Sequence, residues 1–436
     1  MIQNDFKNDP SVTRAHPSPL RGRWPFAAAK GWKGVGPVLL IDLEPPPSGT
    51  ASPRHLPRKG EGWKLAALCI VLLSTAPASL AQQASRQFQT ENGSVTVETL
   101  AKGLENPWGL AFLSDGRMLV TERPGRVRIV TAAGALSPAL TGVPSVAARG
   151  QGGLLDIVLD PDFATNRQVY VSYAEARSGG AATAVARLRL NAAATGFDQS
   201  TVIFRQEPVG DTGRHFGSRL VFDRTGALFI TLGDRGNREK EAQNRTNTIG
   251  KVVRIMPDGS IPKDNPGLRL EGWLTSVWSI GHRNVQGAAL HPATGKLWTA
   301  EHGARGGDEI NIPLAGKNYG WPVITYGIDY SGVKIGEGTA KAGLEQPVFY
   351  WDPSIAPSGM AFYTGDRFPA WKGSVFVGAL AGQLLARLTL DGEKVVAEER
   401  LFAGMNKRIR DVRQGPDGFV YLLVDAADGE VLRVRP

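Results

Sequence analysis

Residues 212–236 read TGRHFGSRLVFDRTGALFITLGDRG, and this stretch holds the unit that the rest of the chain repeats. Two apolar runs, LVF at 220–222 and LFITL at 228–232, flank the polar turn DRTG at 223–226. Alternation with period two on both sides of such a turn predicts an antiparallel hairpin. His215 stands just before the first run and Asp234 just after the second. The start of one strand and the end of its partner share an edge, so this register makes the two side chains neighbours. A carboxylate beside an imidazole fixes its tautomer and keeps it a proton acceptor. A loop histidine capping a strand end is the plainer reading of the same residues.

The pattern recurs along the chain. WGLAFL (108–113) and MLVT (118–121) flank SDGR; LDIVL (155–159) and VYVSY (169–173) follow, the former leading into DPD. Further on come VQGAAL (285–290) with LWTA (297–300), GMAFY (359–363) with VFVG (375–378), and IRDV (409–412) with FVYLL (419–423). Most units run on into another amphipathic strand, such as VRIV at 127–130, VVRI at 252–255, residues 384–390 and VLRV at 431–434. Six units between residues 92 and 436, with no helical period, predict an all-β, six-bladed propeller. A pair of β-sandwiches is the alternative, but it leaves the likeness of the units unexplained. The spacing also predicts long insertions at 237–251 and 311–351, and loops of that length are more often functional than idle.

If each unit's first strand lines the central axis, its start and the end of the second strand lie on one face. Gln151, His215, Arg283, Asn284, Arg408 and Arg410 precede or open first strands; Asp234, His302, Gly303 and Ala304 follow second strands. Hydrophobic packing asks for none of these, yet all fall at one mouth. Arg408 and Arg410, at i and i+2, point the same way and with Arg283 form a cationic patch suited to a planar polyanion. In isolation the pair reads equally well as solvated strand-edge arginines, and Gln151 as a turn residue. His282 and His291 read as structural. The segment EHGARGGDEIN (301–311) offers carbonyl and carboxylate oxygens of the kind calcium takes, without the EF-hand spacing. No nucleotide-binding glycine fingerprint and no zinc pattern is present.

The 436 residues include 53 glycines and 29 prolines, spread as punctuation between apolar runs, and carry a net charge of +9. Residues 1–81 hold ten Lys/Arg against five Asp/Glu and so account for +5 of that total. The remainder has no basic block interleaved with aromatics, so no nucleic-acid partner is expected. Residues 59–81 combine Lys59 and Lys64, an apolar run at 65–73 and the small residues ASLA at 78–81: a secretory signal peptide, leaving no membrane span after its removal. Cys69, the sole cysteine, belongs to it; a mature chain free of cysteine suits an oxidising compartment and rules out thiol catalysis. Residues 1–58 show no sustained period and are expected to be a disordered leader or a start placed too far upstream, with the mature terminus near Gln82 and the protein periplasmic or secreted.

Taken in order, LENPWGLAFL, GQGGLLDIVLDPDF, RHFGSRLVFD, GKVVRIMPDGSIPKDNP, SIGHRNVQG, EHGARGGDEINI, GKNYGWP and RIRDVRQGPDG span all six units. They resemble the glucose/sorbosone dehydrogenase family, especially its soluble aldose sugar dehydrogenases that use pyrroloquinoline quinone. The resemblance implies oxidation of an aldose at C1 to the lactone, with electrons passed to an external acceptor, a quinone or a cytochrome. His215 would be the base and Asp234 its orienting partner, with Gln151 and Arg283 at the substrate or the reacting carbonyl. Arg283, Asn284, His302, Arg408 and Arg410 would hold the cofactor, a tricarboxylate. Main-chain carbonyls of Gly303 and Ala304 would bind Ca²⁺ at the quinone, and Glu309, Tyr319 and Asp329 a second, structural Ca²⁺.

The chain departs from that pattern at Arg214, where glucose-oxidising relatives carry aspartate, at Ala381 in place of a cofactor-contacting lysine, and at Ala304 in place of proline. The rival readings are a non-catalytic propeller binding carbohydrate or protein and a calcium-dependent lactonase. A binder has no need of a base facing a polyanion site, and a lactonase has no need of the arginines.

Overall fold

The DRTG turn closes through its own aspartate. Asp223 Oδ1 accepts the N–H groups of Thr225 (2.8 Å) and Ala227 (3.0 Å), and Gly226 supplies the positive φ of 82°. The flanking strands Leu220–Phe222 and Leu228–Thr231 pair antiparallel, Leu220 opposite Ile230 and Phe222 opposite Leu228. Asp115 and Asp417 make the corresponding bonds to Arg117 and Phe419 in other units, which is why their sequences look alike.

The computed structural model describes residues 85–436; the leader, the signal segment and Cys69 lie outside them. The described strands form six antiparallel sheets. Their first strands are Pro107–Phe112, Leu154–Leu159, Leu220–Phe222, Val285–Leu290, Pro357–Phe362 and Ile409–Gln414. Each packs against the first strand of the next sheet, and the sixth returns to the first, so the ring closes as a six-bladed β-propeller. No helix among the described residues is long and apolar enough to cross a membrane.

Two features go beyond the sequence pattern. The fold begins before residue 92, with strands Ser85–Thr90 and Gly93–Leu104 joining the last blade rather than the first. Gly93–Leu104 pairs with the C-terminal strand Gly429–Arg435, Val97 lying opposite Val434, so hydrogen bonds between the first and last parts of the described chain lock the ring. Val97 and Val434 are both in the apolar core of that blade. Val97→Ala should therefore cost about 2 kcal/mol, from lost methyl groups and a residual cavity, read as a lower urea midpoint with unchanged slope.

The second feature is a buried ionic knot on the axis. The Arg219 guanidinium, fully buried, meets Asp156 at 2.9 Å and Asp411 at 3.0 Å and lies 4.2 Å from the Trp108 ring centroid. Its Nε donates to the Gln286 carbonyl (2.7 Å), while Arg413 bridges Asp156 (3.3 Å) and Asp411 (3.2 Å) from the side. Five of the six blades thus meet through one cluster of two arginines and two aspartates. Gly109 and Gly359 make room for the carboxylates: a Cβ on Gly359 would fall 2.1 Å from Asp411 Oδ1.

Candidate active site

The hairpin places His215 and Asp234 as its register demands. Nδ1 of His215 lies 2.6 Å from Asp234 Oδ1, and the imidazole is 11 % exposed. His215 takes a left-handed backbone (φ 52°), sparsely populated for a residue with a Cβ, and the Gln151 Oε1 accepts its N–H at 2.9 Å. Gln151, expected to touch substrate, lines the same cavity with its carbonyl oxygen committed to the His215 backbone.

Asp234 is 2 % exposed and accepts three donors: His215, the Gly236 N–H (2.7 Å) and the Trp321 indole N–H (2.8 Å). Burial pushes its carboxyl up, but the His215 hydrogen bond and the charges of His215 and Arg283 outweigh that and hold it below the usual carboxylate range. Burial pushes the His215 imidazole down; the Asp234 bond offsets part of this, and Arg283 and Arg214 add to the lowering. The pair is a neutral imidazole with Nδ1–H on a carboxylate, leaving Nε2 as the basic atom.

A cavity of about 460 Å³ opens over this pair, walled by His215, Asp234, Arg283, Trp321 and, from the second long insertion, Asp329 and Tyr330. A second cavity of about 690 Å³ adjoins it, sharing Ala304 and Tyr330 and including His302, Gly303, Arg305 and Ala381. His302 lies between the groups read from sequence: its enclosure, then the charges of Arg283, His215 and Arg410, push its imidazole down to about 3.

Arg283 Nη1 donates to the Gly303 main-chain carbonyl, one of the two oxygens assigned to calcium, and its guanidinium lies 5.2 Å from the Trp321 ring centroid. Arg410 donates to Gln286 (2.7 Å), and its burial lowers it to about 10. Arg408 and Arg410 are gathered by Asp425, at 3.3 and 3.2 Å, a carboxylate held at about 2 because those arginines outweigh its burial. The cationic patch therefore contains an acid that the sequence did not mark. Arg408 also donates to the Leu380 carbonyl, beside Ala381.

The residues present fit a polyanionic ligand. Arg283 Nε, Asn284 Nδ2 and Arg410 Nε are buried donors without an acceptor among the described residues, and the buried His302 Nε2 likewise has no partner there; such groups are costly unless a ligand meets them. For calcium, Gly303 and Ala304 are in the cavity wall, the Gly303 carbonyl already accepting from Arg283. The acids of segment 301–311 mostly face the scaffold. Glu301 accepts from His282, Asn311 and the Arg283 N–H; Asp308 accepts from Gly303, Ser354, Ile355 and Ala356, with burial lifting its carboxyl to about 6. Glu309 and Tyr319 border one small void, in which burial and then Glu301 lift Glu309 to about 8. The Tyr319 hydroxyl is occupied by Ile312 and Leu314. Asp329 stands apart from them, over the His215 cavity, with Ser331 on its carboxylate. Among the described residues no group of three or more His, Cys, Asp or Glu is gathered in a metal-binding cluster.

Trp321, Asp425 and Arg123 were not found from sequence. Arg123 donates to the Gly150 carbonyl and adds its charge near Asp425 and Arg410. The tryptophan had a usable signal, the turn-rich GKNYGWP inside a long insertion; the others sit in ordinary strand and loop contexts.

Residues 104–433 match the family model described as Glucose / Sorbosone dehydrogenase, and the chain belongs to that family. Among characterised relatives it is 50 % identical over 346 residues to the aldose sugar dehydrogenase YliI of Escherichia coli (strain K12), covering 78 % of this chain and 93 % of that one. The apo-form crystal structure of the soluble aldose sugar dehydrogenase of E. coli superposes with a TM-score of 0.76 at 49 % identity, over 78 % of this chain and 99 % of that one. The pyrroloquinoline-quinone-bound aldose sugar dehydrogenase of Streptomyces coelicolor superposes with 0.65 at 28 % identity, over 81 % and 99 %.

Proposed function

We propose that this protein oxidises aldoses at C1 to the corresponding lactones, using pyrroloquinoline quinone and Ca²⁺, and hands the electrons to an external quinone or cytochrome in the periplasm or outside the cell. The observation that carries the reading is a buried imidazole–carboxylate pair beside buried, acceptor-free donors on Arg283, Asn284 and Arg410. The family and the aldose sugar dehydrogenase relatives support it.

In this reading the sugar's C1 hydroxyl lies against Nε2 of His215, which takes its proton. Asp234 steadies the imidazolium that forms. Arg283 lines the same cavity and, with Asn284, Arg408 and Arg410, supplies positive charge and N–H donors for the cofactor's carboxylates, the neutral His302 lying beside them. Pyrroloquinoline quinone, when bound, would accept the hydride from C1, and Ca²⁺, which Gly303 and Ala304 would hold, would add Lewis acidity. Glu309 and Tyr319 would hold a second Ca²⁺, with Asp329, which lines the other cavity, as the outlying member.

The experiment is reconstitution of the apo-protein with pyrroloquinoline quinone and Ca²⁺, followed by dye reduction with glucose and other aldoses; no turnover with any of them would refute the reading. The pH profile follows from the imidazole. The active form is the unprotonated one, and burial lowers its pKa from the ordinary 6.5. Activity should therefore persist below pH 6.5 and be lost as pH falls through the lowered value. An acid limb in kcat/KM centred above 6.5 would contradict the assignment.

A further inference from the structure

We propose that Trp321 is the positioning residue of this site, fixing Asp234, and through it the His215 imidazole, from outside the propeller blades; the inference rests on the dehydrogenase reading for its effect on rate, but not for its effect on His215. Asp234 has two oxygens with unequal duties. Oδ1 receives His215 and the Gly236 N–H, whereas among the described residues the indole N–H is the one donor on Oδ2, at 2.8 Å. At 2 % exposure the carboxylate has almost no access to bulk water that could replace that donor. Its orientation, and with it the direction of the imidazole, therefore depends on the tryptophan.

Trp321 is itself held by both long insertions. Its N–H donates to the Gly281 carbonyl at 3.0 Å, and its carbonyl accepts the Gln243 amide at 2.7 Å. Gln243 belongs to the short helical turn Glu239–Gln243 of the first insertion and exchanges two further hydrogen bonds with Asn318 of the second. The same indole ring lies beside the Arg283 guanidinium. One side chain thus touches both the carboxylate that orients the base and the Arg283 cation that lines the same cavity.

The charged groups around His215 are Asp234 on its own hairpin, Arg214, Arg283 and His302, with Glu239 and Asp329 in the cavity wall. Among these, within the described residues, only Asp234 is bonded to the imidazole. A carboxylate deprived of one N–H donor becomes a stronger base and holds the imidazolium more firmly. A tryptophan serving only as packing would leave that balance unmoved.

The test compares wild type with Trp321→Phe, and with β-(3-benzothienyl)alanine at 321, which keeps the ring volume while sulfur replaces the N–H. In the full-length apo-protein, the His215 midpoint followed by ¹⁵N NMR should rise by about half to one pH unit in both variants. In protein reconstituted with the quinone and Ca²⁺, the acid limb of kcat/KM should move up by the same amount and kcat should fall about tenfold, KM changing much less. A His215 midpoint unchanged in the benzothienyl variant overturns the proposal. Absence of turnover in wild type counts against the dehydrogenase reading alone, since the NMR midpoint decides the role of Trp321 without it.

Discussion

Replacing His215 by alanine should lower kcat/KM for aldose oxidation by about 10³-fold or more, while quinone affinity stays close to wild type. A positioned general base contributes roughly 10² to 10⁴, and this one has no substitute at hand. Arg214 and Arg283, the nearest cations, cannot accept a proton near neutrality. Asp234 is turned away, its oxygens taken by Gly236 and Trp321 besides the imidazole. Glu239 and Asp329 also line the cavity, but neither is bonded to the imidazole among the described residues, and Asp329 already accepts from Ser331. The donors available to the cofactor belong to other side chains, so its dissociation constant, followed by fluorescence quenching, should barely change. His215→Asn separates the two parts further: it keeps a polar side chain of similar reach but cannot take the proton, and should be as slow as alanine. Near-normal turnover in either variant would show that the proton leaves by another route.

Arg219→Met should destabilise the fold by about 3–5 kcal/mol, the usual cost of removing one partner from a buried ion cluster. Asp156 and Asp411 would then face each other across the axis with Arg413 alone to balance them. The deficit has a pH signature with a definite sign. Burial already raises the Asp411 carboxyl above its ordinary 3.8, and loss of the guanidinium raises it further. The folded state then keeps a proton that the unfolded chain has released, so stability falls as pH rises above that ordinary value. Urea unfolding of the variant should show a smaller deficit at pH 5 than at pH 8. A deficit under 1 kcal/mol at both would mean that the ring is held by its apolar blades and the knot adds little.

Nothing in the sequence read alone points to the buried cluster around Arg219. Arg219 in GSRLVF looks like any polar residue of an alternating strand, and nothing near it hints that Asp156, 63 residues away, or Asp411 lies against it. The strand Gly93–Leu104 is equally silent, because its partner Gly429–Arg435 is at the other end of the chain. By contrast, the hairpin at 212–236 could be read directly. Its alternation and its Asp–Gly turn are local, and the approach of His215 to Asp234 follows from register over fewer than twenty residues. The split of Asp329 from Glu309 and Tyr319 has the converse cause: all three ride on or beside a long insertion whose path no period sets.

Strand period, turn chemistry and the number of units were determined by the amino-acid order itself, since each depends on side chains a few positions apart. Ring closure, the ionic knot and the indole on Asp234 were decided only in three dimensions. They join residues whose meeting has to offset the entropy of closing long loops, and that balance is settled by the packed whole rather than by any segment.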